Sequence, residues 1–248
     1  NIYKYFKNEL IFGTNIWNLL SVIFSICIFL PILLIISNFY IESENWLHIR
    51  NNLLIEYLST TLYLIVGVCI ASSTIGVGCA WFVTCYDFYG KKYVEWLLIL
   101  PLTIPTYIAA YSYYDIIEYF NPILFWTRKK IGLDYTIMIE NILIHVIIVM
   151  LFSFVLYPYI YLSTRASLIL QGRRVIEAAN TLGVPTNKLL RKVVIPIIRP
   201  GIIAGASLVV METLNDYAAV EYFGLSTLTI GVFRSWFGMF DVGSALKL

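Results

Sequence analysis

The stretch NILIHVIIVMLFSFVLYPYIYLST, residues 141–164, contains no Asp, Glu, Lys or Arg. A helix of about 20 apolar residues crosses a bilayer core, because its backbone N–H and C=O groups pair with each other inside the helix. Residues 16–37, 57–86 and 96–114 are equally free of charge, and 200–219 is apolar except for Glu212 and Asp216. The sequence therefore predicts an all-α, polytopic membrane helical bundle with about five to six transmembrane helices.

The composition points to the same class of protein. Of the 248 residues, 60% are hydrophobic and 13% are charged, and the mean hydropathy is +0.80. A soluble domain with a hydrated surface carries more charge than this. The net charge of +2 is too small for a nucleic-acid-binding protein. Membrane lipid is therefore an expected partner, and nucleic acid is not.

The distribution of Lys and Arg sets the expected orientation, because short loops rich in these residues stay in the cytoplasm. With the N-terminus inside, eleven basic residues lie in cytoplasmic segments and five outside. Seven of the eleven belong to one polar loop, residues 165–199. The sequence thus predicts that this loop faces the cytoplasm.

Loop 165–199 contains two predicted short helices. The first, RRVIEAANTL at 173–182, ends at Gly183, with Pro185 just beyond. The second runs from about 187 to 194, is capped by Thr186 and stops before Pro196. Its apolar residues recur at helical spacing, which makes it amphipathic and suits a membrane surface or a protein groove. These apolar residues are Leu189, Leu190, Val193 and Val194.

The spacing within this loop carries a family resemblance. EAA at 177–179 is followed by three residues, then Gly183, then nine residues, then VVIP at 193–196. This resembles the EAA signature of binding-protein-dependent ABC importer permeases, with VVIP in place of I-x-L-P. The resemblance implies a cytoplasmic coupling helix that docks on a separate ATP-binding subunit. The implied coupling residues are Glu177, Ala178, Ala179, Gly183 and Pro196.

Other stretches, from roughly residue 56 onward, look like the ferric-iron uptake branch of that superfamily. They are LPLTIPTYIAAY (100–111), LYPYIYL (156–162), METLNDYAAVEYFG (211–224) and FRSWF (233–237). This resemblance implies ferric iron as substrate, a periplasmic solute-binding protein and a location in the bacterial inner membrane. Because one fold serves many solutes, thiamine, a polyamine or an oxyanion remains an alternative cargo.

Glu212 and Asp216 are four residues apart, so a continuous helix would place them on one face. Two carboxylates in a membrane helix are costly to desolvate and repel each other, so we expect neither to face lipid. With Tyr217 and Glu221 they are candidate residues of a translocation path, where oxygen ligands suit a hard cation such as ferric iron. Hydrogen bonding that fixes helix packing, or emergence into the periplasm, would also explain them.

Catalysis is not expected in this chain. The sequence contains no G-x-x-x-x-G-K-[ST] motif, so ATP hydrolysis is assigned to a partner subunit, and no cofactor, catalytic residue or resident metal is predicted. A membrane-embedded enzyme is the distant alternative. It would need a nucleophile with a base or a metal cluster, yet the histidines are His48 and His145, and neither HExxH nor GxSxG occurs. We expect His145 to be a packed, hydrogen-bonded side chain.

The expected organisation has two parts. Residues 1–55 form an N-terminal transmembrane helix and a periplasmic loop, and 56–248 form the permease transmembrane domain with its coupling loop at 165–199. We expect that domain to be incomplete at its C-terminus, because 242–248 begins another apolar segment. The ferric permeases that it resembles carry two such halves. A second permease half or a homologous subunit is therefore an expected partner.

Two local features refine the helix predictions. Pro101 and Pro105 remove two helix hydrogen bonds from the third segment and predict a kink. Gly201 and Gly205 have GxxxG spacing, which predicts close helix packing in a membrane.

Overall fold

The computed structural model describes residues 16–38, 43, 45–172, 181, 185, 189, 192 and 194–248, without the side chains of 171 and 172. Regular structure in these residues is helical, with no strand among them. The helices are α1 (Ile16–Asn38), α2 (Leu54–Cys85), α3 (Lys91–Leu97), α4 (Thr106–Lys130), α5 (Leu133–Ser167), α6 (Ile195–Asn215), α7 (Ala218–Tyr222), α8 (Leu228–Phe233) and α9 (Val242–Lys247). Shorter helical turns lie at Trp46–His48, Ile49–Leu53, Leu100–Thr103, Leu168–Gly172 and Arg234–Gly238.

Several of these helices have the length and composition of membrane spans. The part of the chain that the structure describes contains 4 helices long and apolar enough to span a membrane: Ile16–Asn38, Trp46–Cys85, Leu133–Leu170 and Ile195–Asn215. The bent pair Lys91–Thr103 and Thr106–Lys130 raises the total to 5 if it forms one span. The prediction of an all-α polytopic membrane bundle is therefore confirmed.

The third predicted segment, 96–114, is not one kinked helix. It is divided between α3, a 3-10 turn at Leu100–Thr103 and α4, and the two halves meet at 92°. Ile104 is extended, with ψ of 117°, as expected for a residue that precedes proline, and Pro105 begins the new helix direction. The two prolines thus produce a full break where the sequence predicted a bend.

Helix α5 is the centre of one compact unit, Leu53–Gly231, and packs against α2, α4 and α6. Ile148, Leu151 and Phe152 on α5 are fully buried. They share a core with Leu64 and Val68 of α2. Lipid chains are as apolar as these side chains, so close van der Waals packing, and not exclusion from water, holds the helices together in a membrane.

The second compact unit consists of Asn1–Asn52 and Val232–Leu248. Within it, α1 buries none of its residues, which suits a helix surrounded by lipid. The division of the chain at 55 and 56 into an anchor and a transmembrane domain remains a prediction.

A polar cluster around Asp241 organises the start of α9 in this unit. The Asp241 carboxylate accepts hydrogen bonds from the Ser43 hydroxyl at 2.6 Å, the Asn45 amide at 3.1 Å and the Ser244 backbone N–H at 3.0 Å. Burial acts to raise the pKa of this carboxyl, but the hydrogen bonds outweigh it and lower the pKa to about 2. Asp241 is therefore an ionised N-cap of α9.

Candidate functional site

The predicted coupling residues lie only in part within the described chain. Glu177, Ala178, Ala179 and Gly183 fall outside the described residues. Pro196 is the second residue of α6 and is exposed. A proline fits this first turn because the backbone N–H that it lacks would have no partner inside the helix. Helix α6 thus begins before Pro196, earlier than the predicted start at 200.

The base of loop 165–199 is closed by a buried apolar cluster. Leu168 follows the end of α5, Leu189 comes from the loop itself, and Val194 and Ile198 lie at the start of α6; all four are at most 3% exposed and belong to one cluster. Tyr161 on α5 is buried with them. Leu189 was predicted on the apolar face of the second loop helix, and its burial agrees with that prediction. The loop therefore leaves and re-enters the bundle beside one shared core.

Close crossings with α5 hold the two sides of this base together. A Cβ atom added to Gly201 would lie 2.7 Å from the carbonyl oxygen of Ser163, and one added to Gly205 would lie 2.6 Å from the Cα of Ile160. On the other side, a Cβ on Gly76 of α2 would lie 2.9 Å from the carbonyl oxygen of Tyr157. The GxxxG spacing thus brings the α6 backbone onto α5, as the sequence predicted.

The candidate path carboxylates do not form one continuous face. Glu212 lies within α6 and accepts a hydrogen bond from the Tyr159 hydroxyl at 3.3 Å. Asp216 follows the last residue of α6, and its backbone is extended, with ψ of 116°. Its carboxylate accepts hydrogen bonds from the Thr106 hydroxyl and, at 2.8 Å, from the backbone N–H of Ala219. Asp216 therefore joins the start of α4 to the start of α7.

Tyr217 and Glu221, the other two candidates, belong to the short helix α7. Tyr217 is its N-cap and packs against the main core, and Glu221 is exposed on its first turn. The structure places all four candidates around the junction of α6 and α7. Thr106 and Tyr159, which bond to two of these carboxylates, were not identified from the sequence, because they lie on helices distant along the chain.

Aromatic rings add a second contact between α4 and α7. Tyr114 meets Tyr222 edge-on, with ring centroids 5.1 Å apart, and meets Phe223 at 5.6 Å. Tyr111 lies 6.1 Å from Tyr222. Edge-to-face aromatic pairs of this geometry add roughly 0.5–1.5 kcal/mol beyond their buried area. The helix that carries Glu221 is thus fixed to α4 by ring packing as well as by Asp216.

His145 is hydrogen-bonded, as the sequence predicted. Its Nδ1–H donates to the carbonyl oxygen of Asn141 at 2.7 Å, and its ring meets Tyr63 edge-on at 5.5 Å. His145 and Tyr63, together with Asp134 and Met138, line an open groove of about 510 Å³ between α2 and α5.

One long-range ion pair joins residues that no sequence pattern connects. Arg165 Nη2 lies 2.7 Å from Glu95 Oε2, which joins α5 to α3. In the sequence, Arg165 was only one of many basic loop residues, and Glu95 only the last charge before an apolar segment. No local pattern relates the two residues, so only the folded chain brings them together.

Comparison with known proteins gives consistent matches. Residues 72–235 match the family described as "binding-protein-dependent transport system inner membrane component". An Fe(3+)-transport system permease protein of Haemophilus influenzae is 27% identical over 193 residues, which cover 78% of this chain and 34% of that protein. A sulfate transport system permease protein of Salmonella typhimurium is 26% identical over 183 residues, which cover 73% of this chain and 62% of that protein.

A spermidine/putrescine transport system permease protein of Escherichia coli is 24% identical over 212 residues, which cover 79% of this chain and 75% of that protein. The chain thus spans about a third of the length of the iron relative and about three fifths of the sulfate relative. The family match covers about two thirds of the chain, from the second half of α2 through α4, α5 and α6 to α8. The chain therefore belongs to the family of binding-protein-dependent transport system inner membrane components and is a multi-pass protein of the inner membrane.

Proposed function

We propose that this chain is a permease subunit of an importer driven by ATP hydrolysis in a separate subunit. The observation that carries the proposal is the closed base of loop 165–199, where Leu189 of the loop shares a buried cluster with Leu168, Val194 and Ile198. A loop anchored in this way moves together with the ends of α5 and α6. A partner that binds the loop can therefore move both helices at once.

The proposed contact with the ATP-binding subunit is made by Glu177, Ala178, Ala179 and Gly183, with Pro196 at the base. Small residues let a partner backbone approach, a glycine permits a chain reversal, and a carboxylate offers an ion pair. Gly183→Val is expected to weaken capture of the ATP-binding subunit and to lower solute uptake. The matched control is Gly78→Val, because a Cβ on Gly78 meets nothing within 4 Å. Normal capture and uptake with Gly183→Val would refute the coupling role.

The complete transporter in this proposal contains three other components. An ATP-binding subunit docks on the loop, a periplasmic solute-binding protein delivers the cargo, and a second permease half or a homologous subunit completes the path. Copurification from membranes tests this composition. Recovery of this chain in an active transporter that lacks an ATP-binding subunit would contradict it.

Ferric iron is the substrate that we propose. The support is the likeness of 211–224 and of the other quoted stretches to ferric permeases, together with the iron relative. The test is ATP-dependent uptake into proteoliposomes that contain the assembled transporter with its binding protein, with Fe³⁺, sulfate and spermidine each supplied as labelled solute. Accumulation of iron is expected. Accumulation of sulfate or spermidine instead of iron would contradict the proposed substrate but not the proposed transport function.

We further propose that Glu212, Asp216, Tyr217 and Glu221 border the path of the cation. Carboxylates at a helix junction inside a membrane protein need water, a counter-charge or a ligand. The double variant Glu212→Gln/Asp216→Asn keeps side-chain size and removes both charges, so a path that depends on charge should lose iron uptake. Expression and association with the ATP-binding subunit are measured in the same preparations. Parental uptake by an assembled double variant would exclude a role for the charges.

A further inference from the structure

Helix α3 is attached to the base of the coupling loop by an ion pair. The Arg165 guanidinium and the Glu95 carboxylate are 2.7 Å apart, and their side chains are 26% and 23% exposed. Arg165 lies in the last turn of α5 and is the first residue of loop 165–199. A charge-assisted hydrogen bond in a site shielded from water is stronger and more directional than one on an open surface.

Apolar contacts reinforce this attachment. Leu98 and Ile99, which follow α3, pack against the cluster that contains Leu168 and Leu189. The opposite face of α3 exposes Tyr93 and Trp96, at 78% and 75%. Amphipathic aromatic rings of this kind favour the boundary between membrane and water. One side of helix α3 thus packs against the base of loop 165–199, and the other side is exposed on the surface of the protein.

The chain that continues from α3 is attached again at its far end. After the 3-10 turn and the break at Ile104, Thr106 begins α4 and donates a hydrogen bond to Asp216. Asp216 in turn accepts a hydrogen bond from the backbone N–H of Ala219 in the first turn of α7. The segment 91–106 is therefore attached at one end to the loop base and at the other end to the junction of α6 and α7, where the candidate path residues lie.

We propose that the Glu95–Arg165 pair is a positioning link that transmits movement of the coupling loop, through segment 91–106, to the junction of α6 and α7. This inference rests on the proposed function. A second ion pair in the described chain, Lys91 with Asp87, joins residues four apart within one stretch, and its Asp87 side chain is 99% exposed. That pair connects no separate elements and is a suitable control.

The experiment uses the complete transporter in proteoliposomes and measures ATP hydrolysis and solute uptake in the same sample. Glu95→Gln and Arg165→Gln are each expected to assemble and to hydrolyse ATP, while uptake per ATP falls about tenfold, within the usual range for coupling between sites. The charge-exchanged double variant Glu95→Arg/Arg165→Glu is expected to recover most of the parental uptake per ATP hydrolysed. The control Asp87→Asn is expected to leave it unchanged.

Each other outcome overturns the inference. If the single variants keep the parental ratio of solute uptake to ATP hydrolysis, the ion pair transmits no movement. If they fail to assemble, the ion pair only stabilises the fold. Failure of the charge exchange to restore uptake would show that the individual residues matter and their pairing does not. If the parental transporter itself shows no ATP-dependent uptake of any tested solute, the proposed function fails, which is distinguishable from failure of the link alone.

Discussion

At Gly205, a side-chain carbon would lie 2.6 Å from the Cα of Ile160, which is backbone and cannot rotate away. Gly205→Ala must therefore push α6 away from α5. We expect a loss of about 1–3 kcal/mol in the free energy of unfolding, as for other overpacked sites. Thermal unfolding in detergent measures this effect. Gly78→Ala, where the space is open, serves as the control, and an unchanged melting temperature for Gly205→Ala would contradict the crossing described here.

Asp241 provides a prediction with a defined pH window. Its pKa is lowered from 3.8 to about 2 in the folded chain, so its stabilising contribution is complete above about pH 4 and is lost as the pH falls toward 2. Asp241→Ala should cost about 1 kcal/mol through loss of the helix cap. Hydrogen exchange of the Ser244 amide measures both effects locally.

Asp241→Asn is the matched control for this cluster, because its amide oxygen can still cap α9 but its side chain is neutral and does not titrate. The exchange of the Ser244 amide should then lose the additional dependence on acid pH. A pH response equal to that of the parental chain would show that another group is responsible.

At the scale of elements, Asp216 and Thr106 join two helix breaks. Thr106→Val removes a hydroxyl that donates to a carboxylate, and Asp216→Ala removes the acceptor of two hydrogen bonds. The expected cost of each is about 1.5–3 kcal/mol, the range for hydrogen bonds to charged groups. Thermal unfolding of the assembled transporter measures it.

Asp216→Asn separates the two roles of this residue, because its amide oxygen can still accept from the backbone N–H of Ala219 while its NH2 group donates to the Thr106 hydroxyl oxygen. We expect it to be more stable than Asp216→Ala. If it is also as active as the parental chain, the junction needs the hydrogen bonds and not the charge. Equal instability of the Asn and Ala variants would contradict the bonding described here.

At the scale of the whole molecule, the unequal division of basic residues predicts Lys188 in the cytoplasm and Glu44 in the periplasm. After replacement of Cys27, Cys69, Cys79 and Cys85, single cysteines at 188 and 44 are treated with an impermeant thiol reagent. In spheroplasts, whose inner membrane is intact and whose outer face is accessible, only position 44 should react. Labelling of position 188 from outside would show that the orientation is the reverse of the predicted one.

The sequence by itself determined four of the helices that are long and apolar enough to cross the membrane, because a run such as 141–164 has no charge and partitions into lipid whatever it packs against. It also determined the packing role of Gly201 and Gly205 and the hydrogen-bonded state of His145, since both depend on short-range spacing. The loop spacing from Glu177 to Pro196 identified the family that the comparison then showed.

Only the tertiary structure decided that Glu95 meets Arg165, that Asp216 bonds to Thr106 and that Tyr159 donates to Glu212. These partners lie on different helices, and each helix is apolar toward both lipid and core, so the pattern of hydrophobic residues does not reveal which face turns inward. The extent of the break at Ile104 was likewise undecided, because two prolines permit any bend that the neighbouring helices can accommodate. The packing around α5 settled these pairings by bringing polar groups that are distant along the chain within hydrogen-bonding distance of each other at partly buried positions.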